Sequence, residues 1–124
     1  MKRFILLILM FSSLSIMAQN QANLNFSKRI IDLGEFVCKS DSIIKINFIF
    51  SNDGDAPLVI YKVVTSCGCV KAKWPKQPIK SGGKSIINIE FDTKNKSGVF
   101  AKDIYVESNS VKKVMLLKIK GNIK

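Results

Sequence analysis

Apolar and polar side chains alternate along several short stretches of the chain. Residues 44–51 carry Ile or Phe at every second position. The same period recurs in residues 87–91 and 115–120, and in residues 100–106 with Lys102 as the exception. A period of two is that of a strand with one face buried. Each stretch is therefore predicted to be a β-strand that turns one face toward a core.

Turn-forming residues separate the predicted strands. Residues 52–57 combine Asn, Asp, Gly and Pro, which favour turn geometry. A calcium loop would end in a glutamate that this segment lacks, so we interpret it as a turn. Residues 58–65 are rich in β-branched side chains and predict a further strand, which runs directly into residues 66–69, Ser-Cys-Gly-Cys. The prolines and the Gly pair within residues 71–84 predict a loop over the sandwich edge.

These strands define the expected fold class. Residues 24–26 and 30–33 supply short leading strands, which brings the total to about seven, and no stretch shows a convincing helical period. Short strands divided by turns favour two antiparallel sheets packed face to face. The sequence therefore predicts an all-β, immunoglobulin-like antiparallel β-sandwich of about seven strands, with its core between the sheets.

The first residues have the character of an export signal. Lys2 and Arg3 precede an apolar run over residues 4–16, and Ala18 offers a small residue for cleavage. The run is shorter than a membrane-spanning helix requires, although an uncleaved anchor stays an alternative. We predict a signal peptide over residues 1–18, one domain over residues 19–124 and no permanent membrane span after cleavage. The expected location is the periplasm, or the secreted or cell-surface space.

Charge and composition narrow the classes of function. Removing residues 1–18 reduces the 20 Lys and Arg residues to 18 against 9 Asp and Glu, a balance of +9. This excess favours an anionic neighbour: another envelope protein or an anionic surface glycan. Export and the lack of a nucleic-acid-binding motif argue against nucleic acid. The chain has no histidine, which excludes histidine-based catalysis, so we expect no enzyme and no cofactor.

Several short motifs follow one another in a specific order along almost the whole mature chain. They are Asn52-Asp53-Gly54, Pro57-Leu58-Val59-Ile60, Ser66-Cys67-Gly68-Cys69, Trp74-Pro75, Gly98-Val99-Phe100-Ala101-Lys102 and Leu117-Lys118-Ile119-Lys120-Gly121. In this order they resemble the bacterial domain of unknown function 1573. The resemblance implies an immunoglobulin-like domain similar to the abnormal-spindle, major-sperm-protein and hydin types, which act mainly as interaction modules. It implies no reaction, and the chain departs from it at Val70, where Thr is usual.

Cys67 and Cys69 are the candidates for chemistry. Cysteines two apart on an extended strand lie at or beyond the usual limit for a disulfide, so a bridge between them needs the bend that Gly68 permits. A labile bridge of this kind suits thiol-redox chemistry. On an extended strand the two thiolates would instead share one face and could hold copper(I). A structural, partly buried pair is the third interpretation, and a bridge from Cys38 to either residue stays open.

A second candidate is the lysine-rich segment that follows the cysteines. Lys71, Lys73, Lys76, Lys80 and Lys84 surround Trp74 with no acidic residue between them. Such a loop could bind an anionic or carbohydrate partner. The alternative is that the tryptophan packs over the sheet edge and the lysines stay in water.

Two functions of different class follow. The first is a non-catalytic interaction or scaffold module of the cell envelope. The second is a thiol-redox or copper-handling protein that uses Cys67 and Cys69. The fold favours the first function, and only the cysteine pair favours the second.

Overall fold

A computed structural model describes residues 20–37 and 43–124 of the chain. The predicted signal peptide, residues 1–18, and Cys38 lie outside these residues. Every regular element within them is a β-strand. Across these residues, no helix is long and apolar enough to cross a membrane.

The strands form two sheets of four. The first sheet contains, in spatial order, β1 (Leu24–Phe26), β3 (Ile43–Asn52), β6 (Lys84–Asp92) and β5 (Val70–Lys73). The second contains β2 (Ile30–Phe36), β8 (Val114–Ile123), β7 (Gly98–Ser108) and β4 (Ile60–Thr65). The predicted all-β sandwich is confirmed, with eight strands instead of about seven.

The core lies between the inner faces of the two sheets, as the alternation predicts. The fully buried side chains of the first sheet include Phe48, Ile87 and Phe91, and they meet Ile104 and Leu117 of the second sheet in one cluster. Burial of each such side chain contributes about 1.5–3 kcal/mol relative to exposure. This core fixes which residues of every strand face outward.

Two details differ from the sequence prediction. All strand pairs are antiparallel except that of β2 with β8, which is parallel, so the prediction of a purely antiparallel sandwich is wrong at this edge. The segment 71–84 is not a loop throughout, because Val70–Lys73 pairs with β6 as a short edge strand. Val70 is buried on its inner face, and this apolar contact outweighs the turn signals that follow.

The predicted turn after β3 is confirmed and is held by one buried amide. The Asn52 side chain accepts hydrogen bonds from the backbone N–H groups of Asn23 and Gly54 and donates to the carbonyls of Ala56 and Ile79. Gly54 passes so close to the chain before β1 that an added Cβ would overlap a backbone oxygen there. The turn therefore joins β1, β3 and the β5–β6 connection.

Candidate functional site

The cysteine pair lies where the chain crosses from one sheet to the other. Cys67 and Cys69 follow β4 of the second sheet and precede β5 of the first. The structure joins them in a disulfide with their α-carbons 5.2 Å apart. The chain is bent as a bridge requires, and the Val70 N–H donates to the Cys67 carbonyl at 3.1 Å. Both sulfurs are taken up in this bridge.

Hydrogen bonds hold this turn to both sheets. The Thr65 hydroxyl lies 3.1 Å from the Cys67 carbonyl and 3.0 Å from that of Val70, and so closes the turn from inside. The Asp92 N–H of β6 donates to the Cys69 carbonyl at 2.8 Å. On the other side, the Ser66 N–H donates to the carbonyl of Asp103 in β7. The disulfide is therefore a fixed cap at one end of the sandwich.

The surroundings of the bridge limit its chemistry. Both cysteines are half-buried and pack against the core, which agrees with a structural role, and Gly68 between them is exposed. The bridged pair offers no thiolate, and the bend removes the extended geometry on which the copper interpretation rests. Among the described residues, no three His, Cys, Asp or Glu side chains form a group that could hold a metal ion. A cleft beside the bridge is lined by Ile43, Gly68, Cys69, Lys71, Glu90 and Asp92.

The predicted lysine loop is divided between strands and a connection. Lys71 and Lys73 lie on β5, Lys84 begins β6, and Lys76 and Lys80 lie between the two strands. All five side chains are exposed. The structure thus carries these lysines on a sheet edge and its adjoining connection, not on one irregular loop.

Trp74 does not extend into solvent. The side chain is half-buried against the core, and its indole nitrogen is buried without a hydrogen-bond partner. The Lys76 ammonium lies 3.3 Å from the ring centroid, which is a cation–π contact. This arrangement matches the alternative in which the tryptophan packs over the sheet edge.

The register of the first sheet adds a lysine that sequence reasoning missed. Glu90 of β6 stands between Lys45 of β3 and Lys71 of β5 on the outer face, and its carboxylate is 3.8 Å from the Lys73 ammonium. Lys84 lies further along the same face of β6, opposite Ser51. We call this set of outward lysines the basic surface: Lys45, Lys71, Lys73 and Lys84. Only the strand pairing, which the sequence does not state, brings Lys45 to it.

Comparison with known proteins agrees with this architecture. The model of the family described as "Protein of unknown function (DUF1573)" matches residues 24–123, which confirms the resemblance seen in the motifs. No match to the chain is found among curated proteins.

Solved structures share the fold at low sequence identity. A Porphyromonas gingivalis protein of unknown function superposes with a TM-score of 0.71 at 21% identity, over 87% of this chain and 50% of that one. The present chain thus spans about half of that protein. The ASH/PapD-like domain 7 of human CEP192 gives 0.65 at 10% identity, over 88% and 91% of the two chains. The Escherichia coli chaperone DraB gives 0.55 at 12%, over 83% and 55%. By fold and by sequence match, the chain belongs to the DUF1573 family.

Proposed function

We propose that the protein is an exported, non-catalytic interaction module of the cell envelope, which binds an acidic partner protein through the basic surface. The observation that carries this proposal is the group of Lys45, Lys71 and Lys73 around Glu90 on the outer face of the first sheet, with Lys84 further along that face. The immunoglobulin-like fold, shared with a chaperone and an ASH/PapD-like domain, supports a role in protein contacts.

The charge balance of this face favours an anionic partner. The four lysines of the basic surface outnumber three carboxylates on this face, which are Glu90, Asp92 and Asp53 beside Ser51. Glu90 is already in an ion pair with Lys73, and an exposed pair of this kind contributes only about 0–1 kcal/mol. A positively charged face steers an acidic protein toward productive encounter and fixes its orientation.

The state of Trp74 favours a protein over a glycan. A sugar ring binds an aromatic side chain by stacking on an open ring face. Here Lys76 covers one face of the indole, and the core contacts the half-buried ring. The lysines offer charge without that platform, which suits the carboxylates of an acidic protein surface.

The test compares poly-L-glutamate with dextran sulfate as probes for the mature protein. We expect the triple variant Lys45→Gln, Lys71→Gln, Lys73→Gln to weaken polyglutamate binding about tenfold, because each exposed charge contact contributes about 0.5 kcal/mol. The matched control is the triple variant Lys94→Gln, Lys96→Gln, Lys120→Gln, which removes equal charge elsewhere. Equal weakening by both triple variants contradicts the assignment of this face, and a preference for dextran sulfate favours the glycan instead.

The disulfide supports a second candidate, which is thiol–disulfide exchange with a dithiol protein. A thiolate of that protein would attack one sulfur of the bridge, form a mixed disulfide and release the other sulfur as thiolate. The partner's second thiolate would then resolve the mixed disulfide. The partner's dithiol is thereby oxidised to a disulfide, and Cys67 and Cys69 are reduced to thiols that take up its two protons.

Thiol counting under native conditions separates the two candidates. In a Cys38→Ser background with dithiothreitol as the dithiol, exchange requires that both bridge thiols appear while the circular-dichroism spectrum stays native. A bridge that opens only when the protein unfolds is structural, and the exchange candidate is then wrong.

A further inference from the structure

The outer face of the second sheet carries a continuous apolar row. Val64 of β4 is the register partner of Tyr105 of β7, and Tyr105 is the partner of Leu116 of β8. Val114 precedes Leu116 on the same face of β8. Ile30 of β2 lines a groove together with Leu116. We call these five residues the outer apolar patch.

These side chains are exposed although they are large. Their exposed fractions lie between 41% and 58%. Single exposed apolar residues are ordinary on protein surfaces, whereas a contiguous group across four strands marks an interaction surface. The solvated face of a sandwich sheet normally carries polar side chains, so this face departs from the pattern.

Ion pairs border the row on both sides. The Lys62 ammonium lies 3.2 Å from the Glu107 carboxylate on one side, and that of Lys118 lies 3.6 Å from the Asp103 carboxylate on the other. Both carboxylates next to the row are thereby neutralised. Along these two borders, each carboxylate beside the apolar row is in an ion pair with a lysine.

Asp32, two residues from Ile30 on the outer face of β2, lies opposite Lys120, and the other charges near the patch are positive. Arg29 lines the groove with Ile30 and Leu116, and Lys112 and Lys113 immediately precede Val114. None of these three takes part in an ion pair found among residues 20–37 and 43–124. A partner that matches this border must therefore carry carboxylates around apolar side chains.

We infer that the outer apolar patch is a second binding surface, and that its occupant is a partner protein segment with apolar side chains flanked by Asp or Glu. The patch lies on the opposite outer face from the basic surface, so one module can hold two partners at once. A second copy of this chain is a poor occupant, because it would bring the same positive border against its own.

The sheet edges beside the patch are less suited to binding than its face. An extended peptide can add to an open edge only where the ladder is regular. Both edge strands of this sheet are irregular: β2 shifts register between Asp32 and Glu35, and β4 between Ile60 and Lys62. The face therefore offers the regular surface.

The test is an NMR titration of the mature protein with a synthetic peptide in which Leu alternates with Glu. We expect amide shifts on β4, β7 and β8 with a Kd on the order of 0.1–1 mM. Hexaglutamate, and a peptide in which Lys replaces Glu, should leave those amides unshifted. The double variant Val64→Thr, Leu116→Thr places threonine, which suits an exposed strand, at both positions. It should weaken binding of the alternating peptide about tenfold.

The matched control is Ile49→Thr, Ile86→Thr, an exposed apolar pair on the first sheet, which should leave these shifts unchanged. The inference is overturned if the peptide at millimolar concentration does not shift the patch amides. It is also overturned if the control variant weakens peptide binding as much as the patch variant does. Patch-dependent binding to phosphatidylglycerol vesicles, or a patch-dependent dimer, assigns the face to a membrane or to a second copy and also overturns it. Hexaglutamate lacks the apolar side chains that the patch requires and therefore tests the basic surface, so failure of the patch and failure of that surface give different results.

Discussion

The two outer faces of the sandwich are built on the same core but present different surfaces. On the first sheet, the exposed pair Ile49 and Ile86 is bordered by polar rows, one of them the hydrogen-bonded pair Asn47 and Asn88. On the second sheet, the row through Tyr105 continues into further apolar side chains. The difference shows that the inner faces set the fold, whereas the outer faces can differ in character without changing it.

The largest expected effect concerns the core that both faces share. Phe91 is fully buried, and its ring centroid lies 4.9 Å from that of Phe100. We expect Phe91→Ala to lower the free energy of unfolding by about 3–5 kcal/mol, because it removes a large buried side chain and leaves a cavity. Urea denaturation measures this change. Ile86→Ala, on the outer face of the same strand, should cost less than about 1 kcal/mol, and equal losses would contradict the assignment of inner and outer faces.

The second-largest loss of stability is expected at Asn52, because its side chain holds the turn that joins β1 and β3 to the β5–β6 connection. Asn52→Ala leaves buried backbone groups without partners, and we expect a loss of about 2–3 kcal/mol in thermal or urea unfolding. Asn47→Ala on the exposed side of β3 is the control, with a loss of about 0.5 kcal/mol or less. A small effect at Asn52 would mean that water replaces the amide and that the turn is not fixed by it.

Removal of the disulfide should lower the free energy of unfolding by less than the Asn52 change. It should leave binding of polyglutamate to the basic surface unchanged. The bridge closes a very short loop, for which the chain-entropy relation gives about 1–2 kcal/mol. We expect Cys67→Ser, Cys69→Ser to lose that amount in urea unfolding and to bind polyglutamate like the wild type. Loss of binding in a folded double variant would instead connect the bridge to function.

The smallest effect is expected at the border of the outer apolar patch. Lys62→Ala frees the Glu107 carboxylate beside the row and should change stability by less than about 0.5 kcal/mol. Repulsion between that carboxylate and the glutamates of the alternating Leu–Glu peptide should weaken binding of the peptide about two- to threefold. The change would be seen in the NMR titration, and tighter binding would contradict the proposed charge of the partner.

The sequence predicts the inner faces well because the period of two is strong where burial enforces it, as in residues 44–51 and 87–91. It misses β5 because this edge strand is short and two of its four side chains are lysines. The parallel pairing of β2 with β8 depends on contacts between distant segments, which periodicity does not encode. Both proposed surfaces arise from cross-strand register, as between Lys45 and Lys71 or between Val64 and Leu116. Their residues were visible in the sequence, but their proximity was not.

The cysteines and Trp74 show the same limit at the level of single residues. Spacing leaves the disulfide connectivity open, and the bend that joins Cys67 to Cys69 depends on hydrogen bonds from Thr65 and from distant strands. Lysines around a tryptophan favour a binding loop in the sequence, whereas in the structure the indole packs inward and Lys76 covers it. Local composition therefore draws attention to these residues but does not show how their side chains pack.

The most direct test of the division between the two faces is an NMR titration of residues 19–124 with hexaglutamate. We expect amide shifts along β5 and the outer positions of β3 and β6, around Lys45, Lys71 and Lys73, with the amides of β8 near Leu116 unmoved. Shifts spread evenly over both sheets, or centred on β8, would contradict this division.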